Sequence, residues 1–180
     1  MTLRTMNDVQ TLLPESSLLV IGYGNTLRGD DGVGPRVVEA VELLHLPGVR
    51  TLVCQQLSPE HAAPISLAQT VIFVDAAVDA AGEVQLRRLE PNDTTQLMAH
   101  AADPRTMLAL SRDVFGHVPR AWWLTIHAVK LDFSEDLTPE ARRGLTEAVE
   151  MIQVFCAKSA EATRKNSKAK QSRKVATPQI

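Results

Sequence analysis

The stretch of sequence that decides the fold is Gly22–Gly34, "GYGNTLRGDDGVG". It follows an apolar run, "SLLVI", and precedes apolar residues that recur at helical spacing. A glycine-rich loop between a buried strand and a helix indicates a βα unit, the repeating element of parallel sheets. The loop also carries two adjacent carboxylates, Asp30 and Asp31. Ligands of open α/β sheets bind outside the carboxyl ends of the strands, so this loop is a candidate functional site.

The rest of the chain repeats the alternation of short β-branched runs and helical patterns. This alternation predicts a three-layer α/β/α fold, in which a mostly parallel, twisted sheet of about five strands lies between helices. The run "TVIFVD" predicts a central strand, and "GEVQLRRLE" predicts a strand near an edge. Two helices are expected to begin with an N-cap followed by proline, at Ser58 and Thr138. The predicted strands lie near residues 18–22, 49–55, 70–75, 82–90 and 121–129, and the predicted helices near residues 33–44, 58–69, 103–115 and 137–157.

Charge is distributed unevenly along the 180 residues. Residues 157–180 contain seven Lys or Arg against one acidic residue, a net charge of +6, which leaves −8 on residues 1–156. The basic segment lacks apolar periodicity and aromatic residues, which predicts a disordered tail after a single α/β domain over residues 1–156. A domain this acidic is a poor match for nucleic acid, so no nucleic-acid partner is expected.

Cysteine usage and hydropathy predict a cytoplasmic protein. Cys54 and Cys156 are the only cysteines, and they lack the CxxC spacing of a structural zinc site. Each lies in an apolar run, where a free thiol packs as a small hydrophobic group in a reducing compartment. The N-terminus does not resemble a signal peptide, and no segment approaches the roughly 18 apolar residues that a membrane span needs. No membrane partner is expected.

Two carboxylates and an imidazole are expected at one edge of the predicted sheet. Asp31 follows the first strand, Asp75 ends the third strand, and His100 lies just before a predicted helix. Together they form an oxygen, oxygen, nitrogen set suited to a divalent metal such as nickel or zinc, with open positions for water or substrate. Each residue also has a structural explanation. Acids such as Asp30 and Asp31 stabilise the dipole at the start of a helix, and an isolated histidine is more often a surface or capping residue.

Two further residues are candidates to contact a substrate at the same edge. His127 ends the strand "WWLTIH", which could direct its ring into the crevice. Glu60 follows the second strand, although a position in the first turn of a helix explains an acidic residue equally well.

A dinucleotide-binding loop is a competing interpretation of the glycines. Gly22 and Gly24 match the start of GxGxxG, but Leu27 occupies the position of the third glycine. The second strand is followed by Gln55 and Gln56, where a ribose-binding acid would be expected. The phosphate loop GxxxxGK[ST], HExxH and GxSxG are absent. The sequence therefore lacks the motifs of P-loop nucleotide-binding proteins, zincins and serine hydrolases.

The same residues are similar to the motifs of a known family, the hydrogenase maturation proteases. "GYGNTLRGDDGVG" resembles the family pattern GxGNxLxxDDGxG, "VIFVDAA" resembles its aspartate-terminated strand, and His100 followed by "PRTMLALS" resembles its histidine and leucine-rich helix. The resemblance implies that Asp31, Asp75 and His100 contact a metal. Asn25 and Asp30 match other motif positions and are candidate substrate contacts. The glycines would let the loop backbone approach the substrate closely.

The resemblance implies an endopeptidase that removes the C-terminal extension of a nickel–iron hydrogenase large subunit precursor. It also implies that nickel already inserted in this partner is the recognition tag, so the substrate supplies the metal. Hydrolysis could use the metal to polarise the scissile carbonyl, or Asp31 or Asp75 to activate water. No Ser, Cys or Lys nucleophile occupies a matching motif position, which favours the carboxylates as catalytic groups. A non-catalytic, nickel-sensing chaperone of hydrogenase assembly is the alternative.

Overall fold

The computed structural model describes residues 16–79, 82–93 and 103–175, and its strands form one five-stranded sheet in the order β2-β1-β3-β5-β4. Four strands are parallel, and β4 runs antiparallel to β5 at one edge. The strands are β1 (Ser16–Tyr23), β2 (Val49–Cys54), β3 (Ala68–Ala77), β4 (Val84–Leu89) and β5 (Arg120–His127). The predicted mostly parallel sheet is therefore confirmed, with "TVIFVD" in the central strand and "GEVQLRRLE" in an edge strand.

Helices cover both faces of this sheet, which confirms the three-layer prediction. The helices are α1 (Val33–Leu43), α2 (Ala62–Ser66), α3 (Pro104–Phe115) and α4 (Pro139–Val175), with 3₁₀ turns at Gly29–Gly32 and Pro59–His61. One core layer lies between the sheet and helices α1 and α4, around Val37, Ile72 and Ile152. The other lies between the sheet and helices α2 and α3, around Phe73 and Met107. Apolar residues of alternating strand positions supply the two layers, as expected for strands buried on both faces.

The predicted helix starts are also confirmed. Helix α4 begins at Pro139, and the hydroxyl of Thr138 accepts a 3.3 Å hydrogen bond from the backbone N–H of Ala141. Ser58 caps the turn that begins at Pro59, and the ring Nδ1 of His61 accepts a 2.9 Å bond from the backbone N–H of Ser58 in return. This reciprocal cap satisfies two backbone donors at the entry to α2.

Helix α4 continues through residues 157–175, past the predicted end of the last helix near residue 157. The correction has a simple physical reason. Missing apolar periodicity argues against burial but not against helix, and this segment is rich in Ala, Lys and Arg, which favour the helical backbone. The domain boundary at residue 156 stays a prediction.

Two smaller expectations concern the cysteines and membrane spans. Cys54 and Cys156 are both free thiols, as predicted. Over the described part of the chain, no helix combines the length and apolar character that crossing a membrane requires.

Candidate active site

The glycines of the loop after β1 allow it to fold tightly over its own strand and helix. A Cβ on Gly24, which has a φ of +138°, would lie 1.9 Å from the carbonyl oxygen of Asp31. A Cβ on Gly22 would lie 2.2 Å from the carbonyl oxygen of Gly34, where α1 begins. Side chains cannot be accommodated at such distances. Packing within the loop therefore explains these glycines without the substrate approach that the resemblance implied.

Asp31 is half-buried, where the loop passes the carboxyl end of β1. Its Oδ2 accepts a 2.9 Å hydrogen bond from the backbone N–H of Asn25. The side-chain oxygen of Asn25 accepts a 2.9 Å bond from the backbone N–H of Leu27, which closes a tight turn. Asn25 thus shapes the loop with its side chain and orients Asp31 with its backbone.

Asp30 has a different role from its neighbour. It is 0% exposed, and its carboxylate accepts four hydrogen bonds, from the backbone N–H groups of Val129, Lys130 and Thr138 and from the Thr138 hydroxyl. Burial opposes ionisation, but these bonds prevail and lower the pKa of Asp30 below its ordinary value. The Asp30 carboxylate thus joins the first loop to the segment between β5 and α4. Its contact with substrate stays a prediction.

Asp75 ends the apolar part of β3 and is the most perturbed carboxylate at this edge. Its pKa is raised to about 6, chiefly by burial and also by the negative charge of Asp31. Hydrogen bonds from the Tyr23 hydroxyl and the Ala76 backbone act in the opposite direction. The Tyr23 bond is 2.7 Å long and ends on Oδ2. Asp31 and Asp75 thus interact electrostatically, although they are 44 positions apart in the sequence.

Aromatic residues of β5 lie beside this carboxylate pair. The indole of Trp123 lies close enough to lower the pKa values of Asp75 and Tyr23, yet its buried Nε1 makes no hydrogen bond of normal geometry with the described residues. The guanidinium carbon of Arg87 lies 4.3 Å from the centre of the Trp123 ring, a cation–π contact. His127 is half-buried two positions beyond Thr125, the residue paired with Asp75, and its Nδ1 is also buried without a partner among the described residues.

The remaining predicted residues are Glu60 and His100. Glu60 is exposed on the turn after β2, where a hydrogen bond with Ser58 lowers its pKa. Burial, together with the charge of Glu60, raises the pKa of the Cys54 thiol to about 11. His100 lies outside the described residues. Among the described residues, no group of three or more His, Cys, Asp or Glu is arranged to hold a metal ion.

Asp31 and Asp75 nevertheless suit a divalent cation as two oxygen ligands. Their mutual repulsion is one of the causes that raise the pKa of Asp75, and a cation between them would remove it. Sequence reasoning identified both carboxylates, and Thr138 as an N-cap, but missed Tyr23 and the bonds from Thr138 to Asp30. The β1–β3 register pairs Gly22 with Val74, so only the assembled sheet shows that Tyr23 lies next to Asp75.

The fold is similar to those of solved hydrogenase maturation peptidases. The structure is similar to the hydrogenase maturating endopeptidase HybD from E. coli, with a TM-score of 0.62 and 22% identity over 79% of this chain and 93% of that chain. It is also similar to the hydrogenase 2 maturation peptidase from Thaumarchaeota archaeon SCGC_AB-539-E09, with a TM-score of 0.58 and 24% identity over 76% of this chain and 95% of that chain.

A third neighbour is the [NiFe] hydrogenase maturation protease HycI from Thermococcus kodakarensis KOD1. Its TM-score is 0.59, with 17% identity over 83% of this chain and 96% of that chain. No protein-family model matches the chain, and no curated protein matches it. The chain therefore has the fold of hydrogenase maturation proteases, and its activity is inferred from the site.

Proposed function

We propose that this protein is an endopeptidase that removes the C-terminal extension of a nickel–iron hydrogenase large subunit precursor after nickel insertion. The observation that carries the proposal is the interacting pair Asp31 and Asp75, at the carboxyl edge of a sheet whose fold is shared with hydrogenase maturation proteases. The free thiols of Cys54 and Cys156 support action in the cytoplasm.

Nickel belongs to the substrate in this proposal. Asp31 and Asp75 would supply two oxygen ligands, and His100 is the expected nitrogen ligand. A loaded precursor would then gain metal bonds to the protease that an empty precursor lacks. This difference in binding would let the protein distinguish mature from immature nickel sites.

The carboxylates would also perform the hydrolysis. A carboxylate takes a proton from water as the water oxygen attacks the scissile carbonyl carbon, and that proton passes to the leaving amine as the carbon–nitrogen bond breaks. In the metal-free protein the pKa of Asp75, about 6, lies near neutral pH, which suits a group that takes up and releases a proton. Asp31, oriented by the backbone of Asn25, keeps a second negative charge beside it.

A charge-matched pair of variants tests this function. Asp31→Asn is expected to slow processing of a nickel-loaded precursor by at least about 100-fold, the usual contribution of a positioned acid or base. Asp132→Asn removes the same charge from a side chain that is 79% exposed on a nearby loop, and it should process at the wild-type rate. The readout is the mass of the precursor C-terminus over time. Normal processing by Asp31→Asn would exclude the assigned site.

The same assay separates the protease from the chaperone. A chaperone that senses nickel would bind the loaded precursor through the same residues but leave its mass unchanged. Binding measured together with mass therefore distinguishes the two functions.

A further inference from the structure

The buried hydroxyl of Tyr23 has an unusual partner. Tyr23 is the only tyrosine of the chain and is 9% exposed at the end of β1. Its hydroxyl donates a 2.7 Å hydrogen bond to Oδ2 of Asp75. A buried tyrosine usually satisfies its hydroxyl with any available acceptor. Here the acceptor is a candidate ligand and catalytic group.

Both partners of this bond lie on the sheet rather than on loops. The β1–β3 register pairs Gly22 with Val74, so Tyr23 and Asp75 are the next residues along two adjacent parallel strands. The Tyr23 side chain packs in the core layer with Phe73 and Leu57. Because strands hold side chains more rigidly than loops do, this bond can fix the orientation of the carboxylate.

We propose that Tyr23 is a positioning residue that orients the Asp75 carboxylate toward the nickel presented by the precursor. The proposal rests on the proposed function and extends it to a residue outside the acidic motif positions. The indole of nearby Trp123 makes no hydrogen bond of normal geometry with the described residues, whereas the Tyr23 hydroxyl bonds Oδ2 of Asp75 directly. Hydrogen bonds of this kind to a ligating carboxylate raise metal affinity by restricting its orientation.

Nickel alone is the first probe. Titration of Ni²⁺ into the metal-free, full-length protein should show an affinity that Tyr23→Phe weakens about 10- to 100-fold, the usual effect of losing such a bond. Ser111→Ala is the matched control. It removes another buried hydroxyl that donates a 2.7 Å bond, to the carbonyl of His117, in the loop after α3. Nickel affinity should be unchanged in this control, and circular dichroism should show that both variants are folded.

The pair Tyr23 and Asp75 can be tested for coupling. If Tyr23 acts through Asp75, Tyr23→Phe should have little further effect on nickel affinity in a protein that already carries Asp75→Asn. A purely structural role would instead lower affinity by the same factor in both backgrounds. Fully additive effects would overturn the proposal.

The single tyrosine also allows a measurement that leaves the hydroxyl in place. Incorporation of 3-fluorotyrosine labels residue 23 alone, so the ¹⁹F spectrum contains one tyrosine resonance. Saturating Ni²⁺ should shift or broaden this resonance, and Asp75→Asn should abolish the response at the same nickel concentration. This readout remains informative even if Tyr23→Phe does not fold.

Failure of the positioning role and failure of the proposed function give different results. A wild-type protein that binds nickel and processes the precursor, together with a Tyr23→Phe affinity within twofold of wild type, contradicts only the role of Tyr23. An unchanged ¹⁹F resonance at saturating nickel would likewise contradict only the role of Tyr23. A wild-type protein that neither binds nickel nor cleaves the precursor contradicts the proposed function, and the role of Tyr23 with it.

Discussion

Adjacent residues of the same type have opposite environments in the first loop. Asp30 is fully buried and makes four hydrogen bonds, whereas Asp31 is half-buried beside a second carboxylate. Sequence spacing placed both at the helix start but could not show which would face the crevice. The difference arises from the segment between β5 and α4, whose backbone N–H groups surround Asp30 alone.

Asp30→Ala should therefore act on stability. It leaves three backbone donors and the Thr138 hydroxyl without their buried acceptor, which should cost about 3 kcal/mol or more of the free energy of unfolding. Urea denaturation at pH 7 measures this cost. Asp31→Ala, which loses one bond from Asn25, is the control and should cost about 1 kcal/mol. Equal losses in the two variants would contradict the distinction between them.

The lowered pKa of Asp30 also determines how its contribution to stability changes with pH. Its pKa in the folded protein lies below the ordinary value of an aspartate, so folding favours the ionised form. The stability that Asp30 supplies is complete above roughly pH 4, the unfolded value, and is lost as the pH falls through the lower folded pKa. Asp30→Ala should consequently cost less in acid than at pH 7.

Asp75 should show the opposite behaviour. Its folded pKa of about 6 lies above the unfolded value of roughly 4, so the metal-free protein loses stability as the pH rises through this window. Asp75→Asn cannot ionise and should stabilise the metal-free protein at pH 7.5 by about 2 kcal/mol, with little effect at pH 4. Urea denaturation at the two pH values measures the difference. Equal destabilisation at the two pH values would show that folding does not raise the pKa of Asp75.

Among the secondary-structure elements, the pattern of apolar residues and the N-cap residues predicted most of the fold. The βα alternation gave the parallel sheet, and the N-caps at Ser58 and Thr138 gave two helix starts. The extension of α4 was missed because the periodicity of apolar residues reports which face is buried, not how far an exposed helix continues. The contact between Tyr23 and Asp75 was missed because it depends on strand order and register, which single-strand patterns do not contain.

Gly24→Ala tests whether the first loop needs its close packing. The change combines a φ of +138° with a 1.9 Å approach to the backbone of Asp31, so it should destabilise the protein by at least about 3 kcal/mol. Gly116→Ala is matched for a positive φ, +71°, but has nothing within 4 Å of its added Cβ. It should cost only about 1 kcal/mol. Thermal unfolding of both variants measures the comparison, and a mild effect at Gly24 would mean that the loop can rearrange.

At the scale of the whole molecule, the sheet brings together groups that the sequence separates. The carboxyl ends of three adjacent strands contribute Tyr23 and the Asp31 loop, Asp75, and His127. This edge was predicted because ligands of open α/β sheets bind outside the carboxyl ends of the strands. The order β1-β3-β5 places these groups side by side. The third predicted ligand, His100, lies outside the described residues, so the complete ligand set stays a prediction.

The most direct measurement of the central claim follows the C-terminal mass of a hydrogenase large subunit precursor, nickel-loaded or nickel-free, during incubation with the wild-type protein. A short C-terminal peptide is expected to be lost from the loaded precursor and retained by the empty one. Unchanged mass in the loaded precursor would contradict the protease assignment, and cleavage of both forms would contradict recognition through nickel.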